Sequence, residues 1–372
     1  MRVLIDATPL LLRSAGVKNY FYHWLTHLRR AAGEDTIGTF PAIGRLGPLN
    51  HDGSVLPAAA TWSRLALLFF VNLPRNPALE WILPPADIFH ATNQVRNPPR
   101  RMRLTATLHD LTCWIMPEVH QPTNVLADRI FAERVLQKAA RILAVSGSSR
   151  DDAVRILGIR PDAIEVMYPG IPDSFFETPP ARLATGTARQ GVERPYVLFV
   201  GTIEPRKNVE TLLDAWAQLP AGYRGEFDLV LAGSAGWQAG NTLRRLRSGL
   251  AGVHYLGYVP EADLPALTAG AAVFAYPSLY EGFGFPVAQA MACGVPVVTS
   301  NISSLPEVAG ESALLVDPRS PAELAAALGR LLGSPSLRAA LGAAGAARAR
   351  AEFRWEKYAA RSLEFFRRAM GS

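Results

Sequence analysis

Short apolar runs alternate with helical patterns along the whole chain. In the first half, the runs that predict strands are RVLID, DIFHATN, LTATLHD, RILAVS and IEVMY. Between them, apolar positions recur with a helical period in NYFYHWLTHLRR, ADRIFAERVLQKAA and RDDAVRILG, the last of which ends at Gly158. The second half repeats the alternation with the strands YVLFVGT, FDLVLAG, VHYLG, VFAYPS, VPVVTS and ALLVD. Strands that alternate with helices predict an α/β protein with two doubly wound parallel sheets.

The two alternating regions are separated by DSFFETPPARLATGTARQGVERPY, which lacks periodicity and is rich in proline, glycine, threonine and alanine. Such a composition is typical of a linker. We therefore predict a first domain over residues 1–175, a linker over 176–194, a second domain over 195–352 and a C-terminal amphipathic helix over 353–372. The length of 372 residues agrees with two domains of roughly 150 to 200 residues each.

Two serine–glutamate pairs predict the N-termini of helices. Ser304 with Glu307, and Ser320 with Glu323, have the spacing at which a serine side chain caps a helix. Pro321 stands at the first helical position after the second serine. We therefore expect Glu307 to be a structural residue first.

The composition is that of an ordinary globular protein, with 49% apolar and 19% charged residues. Two cysteines are too few for a disulfide framework, which favours the cytoplasm. The N-terminus MRVLIDATPLLL is interrupted by Asp6 and predicts a strand, not a signal peptide. No apolar run reaches the roughly 18 residues of a membrane span. The net charge of +6 divides into +4 for residues 1–185 and +2 for the remainder, without the dense basic face of a nucleic-acid-binding protein, which suits an anionic small ligand or a membrane surface better.

One segment raises the question of a membrane surface. WSRLALLFFVNLPR combines an apolar run with flanking arginines, and RNPPRRMR adds four more arginines. One interpretation is peripheral contact with anionic lipid, at the inner face of the membrane. The other is a core helix of the first domain followed by a solvated loop, and this is the one we expect.

The segment VGTIEPRKNVETLLDAW predicts an anion site. Its strand is expected to end at Gly201, Pro205 turns the chain, and a helix begins near Asn208. Arg206 and Lys207 stand just before that helix. Two cations beside a helix N-terminus suit a diphosphate. The alternative is a solvated basic turn.

The segment EGFGFPVAQAMACGVPVV predicts a loop that approaches a ligand. Gly282 and Gly284 leave the backbone bare, and Pro286 fits the first turn of the following helix. Backbone amides at that helix start face negative charge. Glu281 precedes the helix and Gln289 lies about one turn inside it, so the pair is placed to hold two parts of one extended ligand. The alternative is a plain strand-to-helix turn.

Two further motifs lie in the first half. His109 and Asp110 close a predicted strand, where they are placed to bind sugar hydroxyls or to stabilise a developing positive charge. The alternative for His109 is a buried core residue. In LRSAGVKNY, a turn at Gly16 places backbone amides and Lys18 at the mouth of a cleft, although every fold of this kind has a turn there.

Several motifs are absent from the sequence. There is no D-x-D triplet for a metal-bound diphosphate, no His/Cys cluster with zinc spacing and no G-x-S-x-G elbow. Arg206, Lys207 and helix amides must then meet the leaving-group charge, and we expect neither a metal nor another cofactor.

At these residues the chain resembles the group 1 (family 4) retaining glycosyltransferases of the GT-B fold. GTIEPRKN, LGYVPEADLPAL, YPSLYEGFGFPVAQAMACGVPVV and SSLPEVAGESALLVDP follow the order of that family's second domain. TLHD, ILAVSGSSRDD and EVMYPGI resemble its first domain more loosely. The resemblance implies two Rossmann-like domains that face a central cleft, with the last helix, FRWEKYAARSLEFFRR, returning to the first domain.

The resemblance also implies roles for individual residues. Arg206 and Lys207 would bind the donor diphosphate, Glu281 would contact the transferred sugar, His109 would lie beside that sugar, and Gly16 beside the phosphate. Further donor contacts are implied for Gly201, Thr202, Tyr258, Val259, Gly282, Phe283, Gly284 and Phe285, with Tyr258 and Val259 near the base. Besides His109, we take Asp110 and Lys18 as acceptor or sugar contacts.

Gln289 departs from the family pattern, which has a glutamate that accepts hydrogen bonds from the ribose hydroxyls. A glutamine keeps one acceptor and gains two donors, but it loses the charge. A neutral hydrogen bond contributes roughly 1 kcal/mol, where a charged acceptor contributes roughly 1.5 to 3. We therefore expect donor binding about tenfold weaker, without loss of function.

The function that the resemblance implies is retaining transfer of a hexose from a nucleotide diphosphate to a glycan or lipid-linked hydroxyl. By family frequency the donor is GDP-mannose and the setting is bacterial surface polysaccharide synthesis. Attack would come from the front face, with the leaving phosphate taking the acceptor's proton. Two alternatives remain: a nucleotide-sugar-binding partner subunit without turnover, and a GT-B sugar-nucleotide epimerase.

Overall fold

The computed structural model describes residues 1–12, 16–47, 49, 53–73, 76–92, 94–177 and 193–371, which form two compact units. The first unit comprises Met1–Pro117, Pro122–Gly170 and Arg354–Ser372. The second comprises Glu118–Gln121 and Ile171–Phe353. Most of the predicted linker lies outside the described residues, so its boundaries stay a prediction.

The first unit is built on a parallel sheet. Its strands are β1 (Arg2–Asp6), β2 (Thr36–Phe40), β3 (Ile88–Ala91), β4 (Arg103–Leu108), β5 (Arg141–Ala144) and β6 (Ile164–Val166). Their order in the sheet is β2-β1-β3-β4-β5-β6. The prediction missed β2, because this edge strand, TIGTF, buries only its last two residues and carries no continuous apolar run.

The helices of the first unit are α1 (Gly16–Ala31), α2 (Ala58–Val71), α3 (Ala78–Ile82), α4 (Thr112–Ile115), α5 (Pro122–Arg134) and α6 (Gly147–Leu157). Gly158 ends α6 as predicted. The helix predicted over ADRIFAERVLQKAA stops at Arg134, and a 3-10 turn over Leu136–Lys138 follows it.

The expectation that α2 is a core helix is confirmed for one side only, where Leu68 and Val71 belong to the hydrophobic core of the first unit. Its buried residues are Thr61, Leu68 and Val71, whereas Trp62 and Phe69 are 72% and 73% exposed. The helix therefore covers the core with one narrow stripe and presents apolar side chains outward. No helix among the described residues is long and apolar enough to cross a membrane.

The second unit holds another parallel sheet. Its strands are β7 (Tyr196–Val200), β8 (Asp228–Ala232), β9 (Val253–Gly257), β10 (Val273–Tyr276), β11 (Val297–Ser300) and β12 (Ala313–Val316). Their order is β12-β11-β10-β7-β8-β9. The chain therefore enters the sheet at β7, adds β8 and β9 on one side, and then adds β10, β11 and β12 on the other side, so the strand order reverses between β7 and β10.

The helices of the second unit are α7 (Val209–Gln218), α8 (Ala221–Glu226), α9 (Gly240–Arg247), α10 (Leu264–Ala269), α11 (Phe285–Ala292), α12 (Leu305–Ala309), α13 (Pro321–Leu332) and α14 (Pro335–Glu352). Ser320 caps α13 as predicted, accepting a hydrogen bond of 3.2 Å from the Glu323 amide. The cap predicted at Ser304 is wrong: this residue precedes α12, but its side chain makes no capping bond.

The last helix, α15 (Trp355–Gly371), packs on α1 within the first unit, which confirms the predicted return. The hydroxyls of Tyr20 and Tyr358 lie 2.7 Å apart, and Trp24 Nε1 donates to Ser362 Oγ at 3.0 Å. The helix starts later than predicted, because the chain leaves helical geometry at Phe353 between α14 and α15.

Candidate active site

The reversal of strand order in the second unit marks a place for a ligand. In open α/β sheets, ligands bind beyond the carboxyl ends of the strands at such a switch point. Residues 201–208 follow β7, and residues 277–284 follow β10. Both motifs that the sequence singled out in the second half therefore meet at one edge of one sheet.

The turn that carries the two cations is tied to the loop after β10. Pro205–Lys207 form a 3-10 turn that ends at Asn208 in the left-handed region, with φ of 59°. Asn208 Nδ2 donates to the Pro277 carbonyl at 3.0 Å. The Arg206 carbonyl accepts from the Leu279 amide at 2.8 Å. The turn with the two cations is thus held by hydrogen bonds to the segment between β10 and Glu281.

The Glu281 carboxylate lies at the centre of a buried cluster. Its Oε1 accepts hydrogen bonds from Lys207 Nζ at 2.6 Å, Ser278 Oγ at 2.6 Å and the Tyr276 hydroxyl at 3.0 Å. Its Oε2 lies 3.0 Å from Arg206 Nη1. The structure thus brings together three of the four residues predicted to be catalytic.

Charges in this cluster fix the protonation state of the carboxylate. Burial raises the pKa of Glu281, but the charges of Arg206 and Lys207 outweigh it and lower the pKa to about 2. Burial and the neighbouring Arg206 lower the pKa of Lys207, which Glu281 and Glu204 oppose. Glu204 also accepts a bond of 2.7 Å from Arg206 Nη2. Two cations therefore face two carboxylates, and the site carries its own counter-ions.

Sequence reasoning missed several residues that hold Glu281 in place. Besides Tyr276 and Ser278, Ser303 Oγ accepts from the Glu281 amide at 3.1 Å. Ser304 Oγ donates to the carbonyls of Glu281 and Phe283, both at 2.9 Å. The sequence YPS could have indicated two of these contacts. Tyr276 and Ser278 are two residues apart at a strand end, so their side chains point to the same side.

The glycine loop before α11 is held in one conformation. Gly284 has φ of 97°, and a Cβ there would lie 2.7 Å from Leu305 Cδ2. Phe283 is buried and meets Phe285 edge-on, with ring centroids 5.1 Å apart. The residues predicted to lend amides to the donor, from Gly282 to Phe285, therefore lie in one stretch whose conformation favours glycine at position 284.

Gln289 lies in the second turn of α11 and is half-buried. Phe285 and Cys293, four residues before and after it, are also half-buried, so the three mark the more accessible face of the helix. In the part of the chain that the structure describes, the Gln289 side chain makes no hydrogen bond. Its predicted contact with ribose stays a prediction.

The remaining predicted donor residues also follow strands of the second unit. Gly201 and the half-buried Thr202 directly follow β7. Gly201 lies against Gly233, and a Cβ added to Gly233 would lie 1.9 Å from the Gly201 carbonyl oxygen. Tyr258 and Val259 follow β9; Tyr258 is 50% exposed, and Val259 is buried. Of the two predicted base contacts, Tyr258 thus has the accessible side chain.

His109 follows β4 in the first unit and is neutral at physiological pH. Burial lowers its pKa to about 4, although the Asp110 charge acts in the opposite direction. Its ring meets Tyr20 edge-on at 4.9 Å. Within the described ranges, His109 Nε2 is buried without a hydrogen-bond partner. The ring therefore offers a polar atom to a ligand.

The other predicted residues of the first unit have contacts within the chain. Asp110 Oδ1 accepts from the amide and the hydroxyl of Thr112, the first residue of α4, at 2.8 and 2.7 Å. Lys18 is fully buried and donates to the Gly53 carbonyl at 2.7 Å. The expectation that its ammonium stands at the mouth of a cleft is therefore wrong. Gly16 is the first residue of α1. Their roles toward an acceptor or phosphate stay predictions.

Comparison with known proteins agrees with this site. Residues 194–334 match the family described as glycosyl transferases group 1, and residues 14–175 match glycosyltransferase family 4. The O-antigen chain mannosyltransferase B of Escherichia coli is 36% identical over 283 residues, covering 75% of this chain and 74% of that protein.

Two further proteins are similar at a lower level. The MMP alpha-(1->4)-mannosyltransferase of Mycolicibacterium hassiacum is 33% identical over 243 residues, covering 64% of this chain and 56% of that protein. The crystal structure of Anabaena HepE in complex with UDP-glucose has a TM-score of 0.70 at 21% identity, covering 98% of this chain and 99% of that one. The chain therefore belongs to the group 1, family 4 glycosyltransferases of the GT-B fold, and by class it is a hexosyltransferase.

Proposed function

We propose that the protein transfers mannose from GDP-mannose, with retention, to a hydroxyl of a glycan or lipid-linked acceptor in bacterial surface polysaccharide synthesis. The observation that carries the proposal is the buried cluster of Arg206, Lys207 and Glu281 at the switch point of the second unit. The similarity to an O-antigen mannosyltransferase supports the choice of sugar and setting. The cysteine content supports a cytoplasmic reaction.

The cluster is suited to departure of a nucleoside diphosphate. Arg206 and Lys207 would bind the diphosphate, and its charge would compete with Glu204 for Arg206 Nη2. Lys207 also contacts Glu281 directly, so the residue that would hold the leaving group is coupled to the residue that would hold the sugar. Charges fixed in a buried site stabilise a transition state without reorganisation.

We further propose front-face attack, in which the leaving phosphate takes the proton of the acceptor hydroxyl. The attacking group is the acceptor hydroxyl itself and not a protein side chain. The protein would position the two substrates and stabilise the charge that develops on the leaving group. The neutral His109 would offer Nε2 to a hydroxyl of the reacting sugar. Its low pKa rules out a fixed positive charge there at neutral pH.

Metal independence is part of the proposal and rests on the missing D-x-D triplet. Arg206 and Lys207 would neutralise the diphosphate charge in place of a divalent cation. Transfer should therefore continue in excess chelator. A complete loss that added Mg²⁺ or Mn²⁺ restores would contradict this part.

Gln289 favours a second candidate function, a nucleotide-sugar-binding subunit without turnover, because this position lacks the family's glutamate. Incubation with GDP-mannose, and with UDP-glucose as the control donor, distinguishes the transferase from the binding subunit and from the epimerase. The proposal requires a mannosylated product whose anomeric configuration by NMR equals that of the donor. Binding without product would support the subunit, and an isomerised donor would support the epimerase.

A further inference from the structure

Exposed apolar side chains concentrate in one part of the first unit. Of the eleven large apolar side chains exposed in the described ranges, six lie between residues 62 and 82. These six, which we call the apolar patch, are Trp62, Phe69, Phe70, Leu73, Trp81 and Ile82. Trp62 and Phe69 are seven residues apart, so they lie along one side of α2, and Leu73 follows the end of that helix. Trp81 in α3 is the most exposed of the six, at 83%.

A basic loop is fastened to the same two helices. The loop, residues 94–102, contains Arg96, Arg100 and Arg101, and Arg103 follows it as the first residue of β4. Asn72, directly after α2, donates to the Gln94 carbonyl at 2.9 Å and accepts from the Arg96 amide at 2.8 Å. The Arg100 amide donates to the Glu80 carboxylate in α3. The apolar patch and the arginines therefore belong to one connected surface.

A groove of about 920 Å³ opens beside α3. Its charged lining residues are Arg96, Arg100, Arg134 and Lys138, against the single carboxylate of Glu80. The Nε–H of Arg96 is buried and has no hydrogen-bond partner among the described residues. A groove with four cations and a buried donor to spare fits a phosphate group.

The charge of this region is strongly one-sided. Residues 58–103 hold six arginines against Glu80 and Asp87, a net charge of +4 out of +6 for the chain. Asp87 already binds the Arg2 amide, at 2.6 Å. A surface that joins exposed tryptophan and phenylalanine to arginines matches the boundary between acyl chains and anionic headgroups.

We propose that the first unit docks on a bilayer that contains anionic phospholipid. The apolar patch enters the interface, and the groove and the basic loop bind headgroup phosphates. The favoured occupant is a membrane because aromatic side chains and arginines occur together with almost no acidic residue. This docking does not depend on the sugar or the nucleotide of the donor.

Co-sedimentation of the full chain with phospholipid vesicles tests the proposal. Wild type should bind phosphatidylglycerol/phosphatidylcholine vesicles at low salt, and bind phosphatidylcholine alone far more weakly. Arg100→Gln with Arg101→Gln should lower partition about 25-fold, roughly fivefold per arginine, since each is worth about 1 kcal/mol near such a surface. The loss should shrink at higher salt because counter-ions screen it.

The apolar patch needs its own variant and control. Trp62→Ser, Phe69→Ser and Trp81→Ser together should lower partition at least tenfold. Trp237→Ser, an exposed tryptophan of the second unit, should leave partition as in wild type. The urea midpoint of each variant checks the fold, which these exposed changes should preserve.

Three results would overturn the proposal. They are no binding of wild type to anionic vesicles at low salt, undiminished partition of the triple variant, and a dimer in light scattering that the triple variant abolishes. The last result would assign the apolar patch to a second copy of the chain.

Discussion

At the scale of single residues, the second unit holds a buried carboxylate between two cations. Glu281 is 7% and Lys207 is 8% exposed, and Lys207 Nζ lies 2.6 Å from Glu281 Oε1. Burial of such a pair is costly in itself, so its presence at a switch point is more readily explained by function than by stability. Removal of one charge leaves the other buried without that partner, so the unfolding free energy of each charge variant is measured beside its turnover.

Lys207→Ala should lower the turnover number by a hundredfold or more at saturating donor. The lysine meets charge that grows on the leaving diphosphate, and loss of one such donor typically costs roughly 3 kcal/mol of transition-state stabilisation. Steady-state kinetics with the preferred donor measures it, and Lys357→Ala, an exposed lysine of α15, is the matched control. An unchanged turnover number would show that the diphosphate binds elsewhere.

Gln289→Glu should tighten the nucleoside diphosphate about fivefold, or roughly 1 kcal/mol. A ribose diol offers two donors, and a carboxylate accepts both with charge assistance. Because the half-buried Gln289 side chain makes no hydrogen bond within the described residues, the change breaks no hydrogen bond there.

Titration calorimetry with the 2′,3′-dideoxy nucleotide is the control for that variant. The gain should vanish there, since no diol remains. Weaker binding of the variant, or equal tightening of both nucleotides, would show that position 289 does not hold ribose.

At the scale of elements, the alternation of apolar runs and helices predicted the two sheets, since strand and helix periods are local properties. These local patterns could not predict which residues a loop side chain contacts when its partners lie more than 20 positions away in the sequence. Ser304 has the spacing of a capping residue, yet its hydroxyl bonds the carbonyls of Glu281 and Phe283. Likewise, α2 has a core-like composition, but the exposure of Trp62 depends on which neighbours the tertiary structure supplies.

Ser304→Ala and Ser320→Ala form a matched pair. Ser320→Ala removes a true cap and should cost about 1 kcal/mol of unfolding free energy with donor binding unchanged. Ser304→Ala should cost a similar amount and also weaken donor binding, because two carbonyls of the Glu281 loop lose their donor. Urea unfolding and donor titration of both variants measure this. Equal donor affinities would show that Ser304 does not position the loop.

At the scale of the whole molecule, acid should weaken the first unit before the second. Burial lowers the pKa of His90 to about 3 and that of His109 to about 4, from an ordinary 6.5. Below pH 6.5 these two histidines therefore bind more protons in the unfolded chain than in the folded one. The first unit loses stability as the pH falls from 6.5 towards the folded-state pKa values. Glu281 has a lowered pKa of about 2 against 4.5, so its contribution is lost only below pH 4.5.

Hydrogen exchange at pH 7 and pH 5 measures this order. Protection of β3 and β4 should fall by pH 5, on the order of 2 kcal/mol per histidine, while that of β7 and β10 persists. His90→Gln should reduce the loss in the first unit, because a group that titrates only on unfolding is gone. Equal losses in both units at pH 5 would contradict the assignment.

The contact between α1 and α15 has a consequence for synthesis on the ribosome. The segments of the first unit that end at Gly170 and resume at Arg354 are separated by 183 residues of the second unit. At 5 to 20 residues per second, translation of that insertion takes roughly 10 to 40 s. During this time the nascent chain displays Tyr20 and Trp24 without their partners on α15, Tyr358 and Ser362. The first unit to be made is therefore the last to be completed, and its exposed aromatic face is a natural substrate for cotranslational chaperones.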